Sequence, residues 1–123
     1  MPSRRRRLVR LHQILNSRHF DGTLGTIPIR LSERMATRLG EFQAAEDGAV
    51  AISISRRHLE RDGWEAVAET LLHEMLHQWQ CEQGMPLDHG PAFRKKARAV
   101  GITAAATVPA GYIPAPRLTG TIE

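Results

Sequence analysis

A chain of 123 residues, 41% hydrophobic and 24% charged, has the size and composition of one compact soluble domain, and its single cysteine, Cys81, excludes an internal disulfide. No apolar run approaches the roughly 20 residues of a membrane span, and the stretch behind the N-terminal arginines is too broken by charge for the apolar region of a signal peptide, so a cytoplasmic protein in a reducing compartment is expected. The net charge of +4 is unevenly divided: Lys and Arg outnumber Asp and Glu 9 to 2 over residues 1–38 and 5 to 1 over residues 90–123, while residues 39–89 carry 3 against 10.

Residues 1–7 read as a basic arm ahead of the domain, and Arg4 to Arg7 with Arg10 are suited to approach nucleic-acid phosphates. Leu8, Leu11, Ile14 and Leu15 then give an amphipathic first helix that ends near His19, with Asp21 and Gly22 in a loop after it. Ile27, Ile29 and Leu31 alternate with Pro28 and Arg30 as a strand whose proline suits an edge. A weaker strand falls within 35–42, interrupted by Gly40. After an Asp47-Gly48 turn, Val50, Ile52 and Ile54 alternate with Ala51, Ser53 and Ser55, the clearest strand pattern in the chain. A short helical turn is expected over 56–61. A long helix follows, opened by Asp62 and Glu65 in the manner of a capping box and closed by Gly84. The last helix runs from about Pro91 to Val100, packs Phe93, Ala97 and Val100, and stops at Gly101. The domain is therefore placed at 8–101, with an Ala-, Pro- and Gly-rich tail over 102–123.

The long helix carries the chemistry. Its stretch from Thr70 to His77, T-L-L-H-E-M-L-H, has the H-E-x-x-H spacing of zinc hydrolases. Residues four apart lie one above the other on a helix, so the imidazoles of His73 and His77 can reach one metal ion. Glu74, one step round, can reach a water on that ion as a general base. Trp64, Val67, Ala68, Leu71, Leu72, Met75, Leu76 and Trp79 form the apolar stripe of a helix packed on a core, and the histidines point nearly the other way, toward a cleft. Ala66 and Thr70 on the histidine side are small enough to leave room for another element or a substrate.

A catalytic zinc normally takes a third protein ligand. Gln80 and Gln83 stand where a metzincin would place Gly and His, and no Glu lies between Glu82 and Glu123, which removes the thermolysin pattern. His89, just ahead of a Gly90-Pro91 helix start, is the leading third ligand, with Cys81 and Asp88 as alternatives. Of the other histidines, His12 and His19 read as surface or capping residues and His58 as a candidate to line the cleft. Tyr112 is a candidate donor to a tetrahedral intermediate if the tail folds over the site.

The run T-L-L-H-E-M-L-H-Q-W, followed by H-G-P-A-F and a basic helix, resembles the SprT-like zinc metalloproteases, the Spartan-related family. The segments I-P-I-R-L-S-E-R-M, R-L-G and A-I-S-I-S resemble the paired strands that lead into that family's active-site helix, so the likeness spans most of residues 8–101. H-E-x-x-H alone is shared by many unrelated zincins; its combination with H-G-P-A-F is the specific part. Position by position, the resemblance implies His73, His77 and His89 as ligands of Zn²⁺, Glu74 as the catalytic glutamate, and protein substrates near DNA. Many relatives also carry a C-terminal zinc ribbon with four cysteines, against one cysteine in this sequence, so the DNA contact that the ribbon provides is expected to be absent or replaced.

The expected protein is an α+β, zincin-like single domain. Two or three further helices and a small, mostly antiparallel sheet pack on the H-E-x-x-H helix, and the activity is that of a zinc-dependent metalloendopeptidase. The alternative is a zinc-stabilised nucleic-acid-binding module without turnover, in which the basic flanks, including Arg94, Lys95, Lys96 and Arg98, make the contacts. An intact Glu74 weighs against it, since a purely structural site needs no base. Aromatic residues are 5% of the chain and both tryptophans fit the core stripe, so a stacking platform for single strands has no support.

Overall fold

The computed structural model describes residues 3–102. Its first helix, α1 (Arg4–Phe20), starts ahead of the apolar pattern because Ser3 caps it, the Ser3 hydroxyl accepting from the Arg6 N–H at 3.1 Å. Residues 4–7, expected as an arm, are thus the first turn of a helix. Arg4 pairs with Glu60 at 3.0 Å, and the Arg7 guanidinium lies 4.3 Å from the centre of the Trp64 ring. Leu8, Leu15 and Phe20 point into the core.

Three strands follow: β1 (Ile29–Ser32), β2 (Gly40–Ala44) and β3 (Val50–Ser55). They lie in the order β1-β3-β2, with β1 parallel and β2 antiparallel to β3. The class is α+β, and the sheet is mixed, one pairing of each kind. Physically, β3 takes the centre because it alone has a run, Ala51 to Ser55, that is buried at every residue. A simple meander would have left that strand at an edge. Pro28 behaves as an edge residue should: it precedes β1, where its missing N–H costs nothing, and its carbonyl accepts from the Ile52 N–H at 3.0 Å. The β2–β3 hairpin turns at Gly48, which has φ 91°.

Gly40 opens β2 rather than interrupting it, and its lack of a side chain is what lets the strand reach the next helix. A Cβ there would lie 2.8 Å from Thr70 Cγ2, 3.2 Å from Ile54 Cδ1 and 3.4 Å from Glu74 Cγ. Gly40→Ala is therefore expected to destabilise the protein by about 1–3 kcal/mol through overpacking, read as a lower urea midpoint at unchanged slope. A midpoint equal to that of the unmodified protein would mean that the strand moves away at no cost.

Ser55 ends β3 and caps α2 (Arg56–Glu82), accepting from the His58 N–H at 3.2 Å. The short helix and the long one expected over this region are continuous apart from a kink at Gly63, whose φ of 88° and ψ of 177° are not helical. Asp62 does different work from the expected cap: its carboxylate accepts from Arg61 at 2.8 Å and lies 2.7 Å from His58 Nδ1. At the far end Gly84 closes α2 as expected, with φ 73°. The Met85 N–H returns to the Gln80 carbonyl at 2.8 Å and the Gly84 N–H to that of Cys81 at 3.1 Å, a Schellman closure. The last helix, α3 (Pro91–Val100), packs Phe93, Ala97 and Val100 inward and stops at Gly101 in the left-handed region, as the pattern indicates. No helix among the described residues is long and apolar enough to cross a membrane.

Every residue of α2 from Thr70 to Gln78 is buried. The apolar stripe packs in the core as expected, but the opposite side is not an open cleft: Phe93 of α3 covers the histidines.

Candidate metal centre

His73 and His77 project from successive turns of α2 and are 5% and 6% exposed. The half-buried His89 arrives from the connection between α2 and α3. One ring nitrogen from each lies within 4.8 Å of the others, and His77 Nε2 is 3.2 Å from His89 Nε2. Two ring nitrogens so close are held by a shared proton or a shared cation, and a third nitrogen converging on them favours the cation. Tetrahedral zinc with Zn–N bonds of about 2.0–2.1 Å places its ligand nitrogens roughly 3.3 Å apart. The donor set fits that ion: three imidazoles, with a fourth position left for water.

Phe93, with no exposed surface, forms the floor. Its ring centre is 5.1, 4.9 and 4.8 Å from those of His73, His77 and His89, stacked on His77 and edge-on to His73 and His89. This packing keeps water from that side and limits how far the three rings can turn. Burial pushes the His77 imidazole below its ordinary pKa; His89 pushes the same way, against the opposing hydrogen bond that the ring donates to Gln80 and against the Asp88 carboxylate. Burial thus favours the neutral ring, the form that ligates a metal.

Glu74 stands on α2 between the two histidines in sequence and is fully buried. It is not in the converging nitrogen group, and its Cγ lies beneath the Gly40 backbone of β2. Glu74 thus stands on the same stretch of α2 as His73 and His77, at the point where the first residue of β2 meets the helix.

The family model named SprT-like matches residues 8–112 of the chain. The chain belongs to the SprT-like family. None of the curated proteins matches it. The SprT-like match takes in every helix and strand except the first turn of α1, and it includes His73, Glu74, His77 and His89.

The other expected site residues fall elsewhere. Cys81, half-buried, and Asp88, exposed, are outside the converging group. Asp88 Oδ1 instead accepts from the Gly90 N–H at 3.1 Å and so shapes the turn that delivers His89. His58 does not line a cleft: it is 1% exposed, with Nδ1 2.7 Å from Asp62 and Nε2 2.8 Å from Thr70 Oγ1, spanning the Gly63 kink. His12 is a correction too, being buried rather than on the surface, with Nε2 2.8 Å from Gln78 Oε1. His19 stays half-buried in the last turn of α1. Tyr112 and the tail from 103 onward lie outside the described residues.

Sequence reasoning missed Gln80. It appeared only as the residue that excludes a metzincin, yet its amide contacts both His77 and Asp88. The signal available was its position, one turn after a candidate ligand on the same face of a helix.

Proposed function

We propose that this SprT-like domain is a zinc-dependent metalloendopeptidase, in which His73, His77 and His89 hold Zn²⁺ and Glu74 is the general base. The observation that carries the reading is the convergence of three imidazole nitrogens, two of them from the helix turns that flank the fully buried Glu74. When bound, zinc would supply a Lewis acid that lowers the pKa of a water toward neutrality and polarises a carbonyl. Glu74 would be the group that accepts a proton from the attacking water and delivers it to the leaving amine. Phe93 and the α3 packing keep bulk water away from the reacting groups.

The edge of β2 is the natural seat for substrate. Among the described residues β2 pairs only with β3, and it starts at Gly40 against Glu74. An extended peptide added along that edge would be held by backbone hydrogen bonds, giving cleavage with weak sequence preference. The test is zinc content of the purified protein together with cleavage of an unfolded protein substrate. Cleavage is expected, with loss on chelation and return on adding zinc. Full activity in metal-free protein would overturn the reading.

DNA-associated proteins are the proposed substrate class, and a second observation supports nucleic-acid contact. Arg6, Arg7 and Arg10 line a surface hollow of about 430 Å³ on α1. Lys96 of α3 lies at the other end of that helix, its Nζ 5.3 Å from the centre of the Phe20 ring, roughly 20 Å along α1 from those arginines. If both touch phosphates, log affinity falls linearly with log salt, with a slope of roughly 0.9 per neutralised phosphate on a duplex. Replacing Arg4 to Arg7 by alanine should flatten that slope, and replacing Arg94, Lys95 and Lys96 should flatten it further. A salt titration of labelled single- and double-stranded DNA measures it. A slope indifferent to both sets, or no binding at low salt, removes DNA from the proposal and leaves the peptidase.

A further inference from the structure

We propose that Gln80 is a positioning residue of the metal centre: one buried side-chain amide both orients the His77 ring and ties helix α2 to the turn that carries His89. The inference rests on the zinc reading above. Gln80 is 1% exposed, an unusual place for a polar side chain unless its groups are used. Both ends of the amide are used. Oε1 lies 2.9 Å from His77 Nδ1, and Nε2 donates to the Asp88 carbonyl at 3.0 Å, with the Asp88 carboxylate at 3.4 Å.

These contacts determine the state of the histidine. A carbonyl can only accept, so the amide nitrogen of Gln80 must face Asp88 and its oxygen must face His77. An amide oxygen likewise only accepts, so His77 Nδ1 carries the ring proton. The lone pair is then on Nε2, the atom 3.2 Å from His89 Nε2. A ligating histidine generally needs such an acceptor on its second nitrogen to hold its tautomer and ring orientation. Gln80 provides one from the same helix, three residues on.

The other end of the amide acts on the third ligand. His89 belongs to a short connection rather than to a helix, and its position depends on what holds residues 88–90. Asp88 Oδ1 accepts from the Gly90 N–H at 3.1 Å, and the His89 carbonyl accepts from Arg94 Nη1 at 2.8 Å. Those two bonds shape the turn and join it to α3. Gln80 joins it to α2, where the other two histidines stand. One side chain therefore keeps the helix-borne and loop-borne nitrogens in register.

The test uses the full chain, with zinc affinity measured by competition against a chromophoric chelator and the His77 tautomer read from imidazole ¹⁵N shifts of the metal-free protein. Gln80→Met keeps the length of the side chain and removes both functions; zinc affinity is expected to fall about 10–100-fold, with His77 populating both tautomers. Gln80→Glu restores an acceptor for Nδ1–H but cannot donate to Asp88, and its affinity should lie between that of Gln80→Met and that of the unmodified protein. Unmodified protein should show the Nδ1–H tautomer. Zinc affinity unchanged in Gln80→Met, or as weak in Gln80→Glu as in Gln80→Met, would overturn the proposal. So would an Nε2–H tautomer in the unmodified protein, a result that needs neither variant to fold. Failure of the unmodified protein to bind zinc in the same competition would instead overturn the metal reading, and the tautomer measurement would still judge what Gln80 does to His77.

Discussion

Glu74→Gln is expected to keep zinc and fold while losing about 10²–10⁴-fold or more in peptide cleavage, the range attributed to a positioned general base. The substitution is nearly isosteric, which matters because Glu74 is fully buried and its Cγ lies against the Gly40 backbone. A smaller residue would leave a cavity and a larger one would push on β2, so only the amide separates chemistry from packing. A glutamine oxygen does not take up the water's proton at neutral pH, and the three imidazoles are untouched. The measurement pairs zinc stoichiometry with initial rates on an unfolded protein, with and without DNA. Unchanged cleavage by the variant would refute the assigned base. Absence of cleavage by the unmodified protein under all conditions would shift the balance to a zinc-stabilised binding module.

The legible parts of the chain are those in which a local pattern and the tertiary environment agree. Val50 to Ser55 alternates, and β3 forms there. Pro91 and Gly101 bracket α3 because each acts through its own backbone, whatever lies around it. The histidine pair was legible because helical spacing alone puts two rings on one face. The parts that were not legible depend on partners distant in sequence. The parallel pairing of β1 with β3 is decided by which strand can be buried at every position, a comparison among strands that no single window contains. Gly40 looks like a strand breaker until Thr70, thirty residues on, is known to press against it. His12 looks solvated until Gln78 is placed beside it. The side opposite the apolar stripe reads as an open cleft because the wheel of one helix cannot show that Phe93 from another will cover it.

His89→Ala is the variant that bears most directly on the composition of the centre, and it should bind zinc more than 100-fold more weakly than the unmodified protein, beyond the range typical of residues that only support a ligand. Its removal leaves two imidazoles on one helix, and a helix supplies ligands to one side of an ion only. Neither alternative residue is placed to compensate. Cys81, one turn beyond His77, lies outside the converging group, so Cys81→Ser should retain full zinc. Asp88 uses its carboxylate to accept from the Gly90 N–H, a role that an asparagine oxygen can fill, so Asp88→Asn should also retain zinc. Fold is expected to survive in all three, because Phe93 and the apolar side of α2 remain packed, and circular dichroism of the metal-free forms checks this. Elemental analysis after dialysis against a weak chelator then gives the order. Zinc retained by His89→Ala but lost by Cys81→Ser or Asp88→Asn would reassign the third ligand and remove the basis for treating the His77–His89 approach as a metal-binding geometry.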